Sequence, residues 1–365
     1  MVIKFNNYSL LNKKLKKEIL AEINLVLNLE DNIDYENYSN QFEDKIKKYF
    51  DVKFCISLDS GTTALQLALT GCGIKQGDEV VLPCYTYAAT ALAISNIGAK
   101  PVFVDINEND LTINPNLIKS KLTNKTKAII PVHIHGNPCE IDTILDICKD
   151  HKIKLIEDCS QAHGAEYKGK KVGSFGVGCF SLHSSKTLGG IGDSGIITLN
   201  DKKIYDKIRK LMVPDNNSKE ILLSKRTPCI MDCMQAAIIK IKLRYLDNFN
   251  NRKNAIANLY NKLLNKKIKR LNLINDSYAV YRDYCIRTNE RDKLQEYLLA
   301  KGIETKARYK IPLHLTKTFS YLDYKKGDFP ITEKISEDVL CLPSFIGITD
   351  EQIECMCKEI NNFMN

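Results

Sequence analysis

Between about residues 53 and 200 the chain alternates short apolar, β-rich runs with longer helical patterns, and this alternation limits the possible fold more than any other feature. KFCISL precedes TALQLALTGC, EVVLP precedes YAATALAISNI, PVFVD precedes NPNLIKSKL, KAIIPV precedes EIDTILDICKD, and KLIEDC closes the series. Strands joined by crossover helices form a largely parallel sheet with helices on both faces, so the expected class is α/β. Ligands of such sheets bind at the carboxyl ends of the strands. Two further β-rich runs, GCFSL at 178–182 and GIITL at 195–199, bracket a Gly-rich connection. A long helical pattern over 231–264 then leads into a different tail, with strands expected near 278–288 and 303–306 and helices near 291–300 and 350–363. The 365 residues are thus expected to form a large domain over 1–245 and a smaller α+β domain over 246–365.

The opening MVIKFNNYSLLNKKLKKEIL lacks the apolar run and small-residue cleavage site of a signal peptide, and no later apolar stretch is long enough to span a bilayer. A soluble, cytoplasmic protein without a membrane partner is expected. Thirteen cysteines without paired CxxC spacing read as reduced, mostly buried thiols. Cys355 and Cys357 are two apart, and Cys229 and Cys233 could share a helix face, but His or Cys partners at zinc-like spacing are missing, so no metal is expected. The net charge of +9 comes from Lys and Arg interleaved with Asp, Glu and Asn, without the basic block and interleaved aromatics of a nucleic-acid binder. A modest positive bias suits a diphosphate-bearing substrate.

Three constellations can carry chemistry. Ser60-Gly61-Thr62-Thr63 lies between a strand and a helix, where free N–H groups make an anion site, although Ser and Thr are also ordinary N-caps. Glu157-Asp158 ends the run KLIEDC, where a carboxylate can hold a pyridinium nitrogen protonated or simply serve as a helix cap or surface acid. In FSLHSSKTLGG, Lys186 follows a strand and enters a glycine-rich turn; a lysine in a dry site can attack an aldehyde, whereas a solvated one is inert. Two strings mislead. Gly190 to Gly195 fits GxGxxG, but the β-rich IITL follows where a dinucleotide fingerprint needs a helix. Gly192-Asp193-Ser194-Gly195 is similar to a serine-protease loop, in the wrong architecture and without His and Asp partners.

Taken in order, SLDSGTTALQLAL, GDEVVLPCYTYAATALAISNIGAKPVFVDI, TKAIIPVHIHG, IEDCSQAHGAEYKGKKVGSFG, CFSLHSSKTLGGIGDSG, MQAAI, YKIPLHL and CLPSF resemble the DegT/DnrJ/EryC1/StrS family of sugar aminotransferases, over about residues 10–360. The resemblance implies a pyridoxal-phosphate enzyme of fold type I, working as a homodimer with glutamate as amino donor and a nucleotide-linked keto sugar as acceptor. It implies that Lys186 is the Schiff-base lysine, that Asp158 pairs with the pyridine nitrogen, and that Gln161 contacts the ring hydroxyl. It further implies that Tyr87 stacks on the ring and that Ser60, Gly61, Thr62 and Ser181 lie at the phosphate. Relatives with His in place of this lysine are dehydratases, so Lys186 favours transamination. His163, His183, Tyr309 and His314 either line the sugar site or are structural residues satisfied by backbone hydrogen bonds.

The chain also departs from the family pattern. Where many relatives carry a polar residue that reaches the neighbouring subunit's cofactor phosphate, it has Ile230 within Pro228-Cys229-Ile230-Met231-Asp232, so either another group such as Lys225 or Arg226 takes over that contact or cofactor affinity is lower than usual. The TYAATALAIS string and GGIGDSG loop resemble the subgroup acting on 3-keto sugars joined to dTDP or UDP. A 4-keto sugar, an inosose, and a non-catalytic binding or regulatory paralogue are the competing readings.

Overall fold

The computed structural model describes residues 2–212 and 229–364. The strands expected between 53 and 200 are all present and form one seven-stranded sheet. They are β1 (Phe54–Leu58), β2 (Glu79–Pro83), β3 (Lys100–Val104), β4 (Thr126–Ile129), β5 (Lys154–Asp158), β6 (Val177–Ser181) and β7 (Gly195–Leu199). Their spatial order is β1-β7-β6-β5-β4-β2-β3. Pairing is parallel from β6 through β5, β4 and β2 to β3, whereas β7 runs antiparallel to both of its neighbours. The chain reverses between β6 and β7 through the Gly-rich loop that carries Lys186, which places this loop at the carboxyl end of β6.

Each strand is buried on both faces, as a sheet sandwiched between helices requires. The helices considered are α1 (Lys16–Leu27), α2 (Asn32–Phe50), α3 (Gly61–Gly71), α4 (Ala88–Asn96), α5 (Ile141–His151), α6 (Lys202–Met212), α7 (Cys233–Leu243), α8 (Leu246–Leu263), α9 (Arg291–Ala300) and α10 (Asp350–Met364). Strand alternation sorts the core. Ile56, Val80, Leu82, Ile156 and Ile197 meet Ala64, Leu65, Ala68, Ala91 and Ile208 of α3, α4 and α6 on one face. On the other, Val81, Val102 and Ile129 meet Ile141, Ile144 and Ile147 of α5, while Cys55, Phe180 and Ile196 meet Phe42, Ile46, Ala237 and Ile239 of α2 and α7.

The helix expected over 231–264 is two helices. After α7 the Arg244 and Tyr245 N–H groups bond to Ile241 and Lys242, a tightened last turn, and α8 restarts at Leu246. The break lies where the chain leaves the core around Ala236, Ala237 and Ile239 for a second one around Ile256 and Tyr260. There α8, α9 and α10 pack against a three-stranded antiparallel sheet in the order Lys269–Arg270, Tyr284–Arg287, Val339–Leu342. The strand expected near 303–306 is instead two isolated bridges, Ile303 to Ile3 and Lys306 to Cys341. The N-terminal segment is thereby pinned to the C-terminal core. All thirteen cysteines are unpaired, with only Cys72, Cys233 and Cys355 partly exposed. No helix among the described residues is long and apolar enough to cross a membrane.

Ile156 is fully buried at the middle of the sheet. Ile156→Ala should cost about 2–5 kcal/mol of stability in chemical denaturation, with an unchanged denaturant slope.

Candidate active site

A cleft of ≈ 320 Å³ opens at the carboxyl ends of β5 and β6. It gathers Ser60, Gly61, Thr62, Tyr87, Asp158, Gln161, Ser181, His183, Lys186 and Tyr309, which lie far apart in sequence.

One end is built by the start of α3. Ser60 has extended backbone, and its hydroxyl accepts from the Thr63 N–H at 3.1 Å, an N-cap. The N–H groups of Gly61 and Thr62 have no intrahelical acceptor and border the cleft. A Cβ on Gly61 would lie 2.6 Å from Ser181 Cβ and 2.8 Å from Ser181 Cα, so only glycine lets the helix approach β6 so closely. Backbone N–H groups at a helix start, with the Ser181 side chain beside them, suit a phosphate-sized anion.

At the centre, strand alternation separates two adjacent carboxylates. Glu157 turns away from the cleft, where it accepts from the Gly173, Phe175 and Gly176 N–H groups at 2.9–3.0 Å and lies 3.3 Å from His133 Nε2. Asp158 faces the cleft, accepting from Thr90 Oγ1 at 2.8 Å and from the Ser160 N–H at 3.1 Å. These two bonds orient a buried carboxylate whose remaining acceptor capacity suits a protonated ring nitrogen. Gln161 is clamped at both ends: its Oε1 accepts from the His135 N–H at 2.9 Å, and its Nε2 donates to Tyr309 Oη at 3.0 Å. His135 and Tyr309 both have positive φ, 55° and 54°, so two strained backbones converge on this one amide. Tyr87 stands at the rim, 64% exposed, free to cover a flat ligand.

Lys186 lies opposite, on the turn between β6 and β7. Burial and the nearby Arg282 guanidinium push its ammonium down to about 8, against the opposing pull of Asp158. A lysine in this state is more readily deprotonated near physiological pH than a solvated one and can act as a nucleophile. Lys186 and Arg282 also border a second cavity of ≈ 350 Å³, formed with Asn7, Lys242, Lys253 and Phe345. The cleft therefore fits pyridoxal phosphate, with an anion cradle, a carboxylate, an aromatic and a nucleophilic lysine around one space.

Two candidates stand outside the cleft. His163 is buried, with Nε2 2.9 Å from the Ser181 carbonyl, and burial lowers its pKa to about 3. It packs on Phe180 as a neutral structural ring. His314 is equally buried, held between Cys84 Sγ and Glu333 at 3.0 Å each. His183 does reach the cleft, with Nδ1 2.8 Å from Ser185 Oγ, and so does Tyr309. Sequence reading missed Thr90, Arg282 and Arg308, all at the cleft, because each owes its place to tertiary packing and no local spacing marks it. It also missed that His135, Cys285 and Cys341 converge to within 4.8 Å of one another, from three separate segments. Ile230 bridges Leu58 and is 60% exposed, while Lys225 and Arg226 lie outside the described residues.

The DegT/DnrJ/EryC1/StrS aminotransferase family model matches residues 13–361. The chain is 36% identical over 356 residues to a protein of Geobacillus stearothermophilus named a pleiotropic regulatory protein, covering 96% of this chain and 95% of that one. It is 37% identical over 369 residues to the dTDP-3-amino-3,6-dideoxy-α-D-galactopyranose transaminase of Aneurinibacillus thermoaerophilus, covering 99% of each. The crystal structure of DesV of S. venezuelae, in complex with a ketimine intermediate, superposes with a TM-score of 0.94 at 32% identity, covering 99% of this chain and 98% of that one.

Gly61→Ala should lower stability by about 1–3 kcal/mol, since the new methyl meets β6 backbone, and should weaken uptake of pyridoxal phosphate in a spectral titration.

Proposed function

The chain belongs to the DegT/DnrJ/EryC1/StrS aminotransferase family, and from that premise we propose that it moves an amino group from glutamate to a nucleotide-linked 3-keto sugar. It is a pyridoxal-phosphate-dependent sugar aminotransferase of fold type I. The observation that carries the residue assignment is Lys186, its pKa lowered to about 8, facing the buried, hydrogen-bonded Asp158 in one cleft. The Aneurinibacillus relative, named for a dTDP-linked 3-amino sugar, supports a dTDP- or UDP-linked 3-keto hexose as acceptor.

Bound pyridoxal phosphate supplies an electrophilic aldehyde carbon and a ring that withdraws electrons from bonds at that carbon. In this reading the Gly61 and Thr62 N–H groups, Ser60 and Ser181 hold its phosphate, Asp158 keeps the ring nitrogen protonated, and Gln161 meets the ring hydroxyl. Tyr87 covers one face and excludes water. Lys186, its amine made less basic by burial, would be the nucleophile held at the aldehyde carbon. The same amine would serve as the general acid-base group that moves a proton at the donor's Cα, and again at the acceptor sugar's carbon. Thr90 keeps Asp158 in place, and the strained Tyr309 does the same for Gln161.

A homodimer is part of the reading. Its support is apolar side chains left in solvent beside or near the cleft: Tyr87, Ile191, Ile230 and Met234 are all exposed. The non-catalytic alternative draws on the name of the Geobacillus relative, and the intact Lys186, Asp158, Gln161 and Tyr87 argue against it.

Purified protein with pyridoxal phosphate should show a visible band that glutamate bleaches. Lys186→Ala should lack the internal band and lose on the order of 10²–10⁴-fold in turnover, and absence of the band in wild type would sink the proposal. Because the unprotonated amine is the attacking species, the rate of cofactor uptake should climb through pH 8 and level off above it in stopped-flow absorbance. Arg282→Gln removes a charge that holds the ammonium down and should move that inflection to higher pH.

A further inference from the structure

Two arginines reach the cleft from the C-terminal part of the chain, and one buried carboxylate holds both. Asp283 Oδ1 accepts from Arg282 Nη1 at 2.6 Å and from Arg308 Nη2 at 3.0 Å, and Asp283 Oδ2 lies 3.3 Å from His135 Nδ1. Arg282 Nη2 also donates to the Ser185 carbonyl at 3.3 Å, next to Lys186. Arg308 Nε is buried and, although 2.9 Å from Asp283 Oδ2, makes no hydrogen bond. One carboxylate faces two guanidinium groups, so positive charge exceeds negative at this wall, while Asp193, the exposed acid that also borders the cleft, lies beside His183. Asp158, the other buried acid of the cleft, is turned to Thr90 and the Ser160 N–H. The backbone fixes the pair as well: Tyr309, directly after Arg308, has a φ of 54° and anchors on Gln161.

A pair of guanidinium groups oriented by one buried carboxylate, with excess positive charge, is a preorganised site for a planar anion. The phosphate of the cofactor has its own cradle at the other end of the cleft, at Gly61, Thr62 and Ser181. We propose that Arg308, positioned by Asp283 and seconded by Arg282, binds a carboxylate of the amino donor. The proposal rests on the reading that a dicarboxylic amino acid is the donor. A carboxylate between the two guanidinium groups receives paired N–H donors and balances the excess charge, which holds the donor with its amino group toward Lys186. A neutral or amine donor lacking the carboxylate leaves that charge unmatched.

The test compares wild-type holoenzyme with Arg308→Gln and Arg308→Lys. Glutarate, a dicarboxylate with no amino group to react, is titrated by calorimetry, and KM is measured separately for glutamate and for the sugar substrate. Arg308→Gln should weaken glutarate binding and raise the glutamate KM by about 10–100-fold, leaving the sugar KM within about twofold, with partial recovery in Arg308→Lys. Unchanged glutarate binding and glutamate KM, with only a loss of thermal stability, would reduce the pair to a structural ion network and overturn the proposal. A rise confined to the sugar KM would overturn it in favour of an anionic group on the acceptor. Failure of glutamate to bleach wild-type holoenzyme counts against the donor reading alone, since glutarate binding still decides whether Arg308 takes a carboxylate.

Discussion

Glu157 and Asp158 occupy consecutive positions at the carboxyl end of β5, both buried, and the pleat of the strand sends them to opposite sides. A buried carboxylate persists only when its acceptor sites are filled. Glu157 is filled by three backbone N–H groups of residues 173, 175 and 176 and by His133, so it secures the turn that leads into β6. β6 in turn carries Ser181 and then the loop with Lys186. Asp158 is filled in part, by Thr90 and Ser160, and its open side faces the cleft. The same strand end thus fixes the scaffold with one residue and presents chemistry with the next.

The electrostatics of the cleft follow from the burial of its ionisable groups. Lys186 loses basicity through burial, with the charge of Arg282 adding to the effect and Asp158 opposing it. Lys242 and Lys253, on the wall of the adjoining cavity, are also pushed down, to about 8 and about 7, and hydrogen-bond to backbone carbonyls at Gly189 and at Ser344. Their pairing with carbonyls anchors the Lys186 loop and the segment around Ser344 without placing a competing carboxylate near the reactive amine. The carboxylates that do act on Lys186 are Asp158 and, more weakly, Asp283. Asp283 accepts from both Arg282 and Arg308 and fixes where their guanidinium groups stand.

The seven-stranded sheet was legible because its strands are short apolar runs separated by helical patterns, a one-dimensional signal that local chain geometry determines. Ser60, Gly61, Asp158 and Lys186 were legible for the same reason, each sitting at a strand end where this architecture gathers ligands. The break after Leu243 was not legible, since Arg244 and Tyr245 are compatible with a continuous helix and the interruption comes from the chain leaving one core for another. His163 and His314 could have been site or scaffold; burial against Phe180 and Phe329 makes them scaffold.

By itself the sequence determined the α/β class, the position of the lysine-bearing turn and the helix start that can hold a phosphate, because periodicity and turn chemistry act within a few residues. Only the tertiary structure decided which distant side chains meet there. Thr90 on Asp158, Tyr309 on Gln161, and Arg308 on Asp283 are contacts across 68, 148 and 25 residues, made by packing that no local pattern encodes.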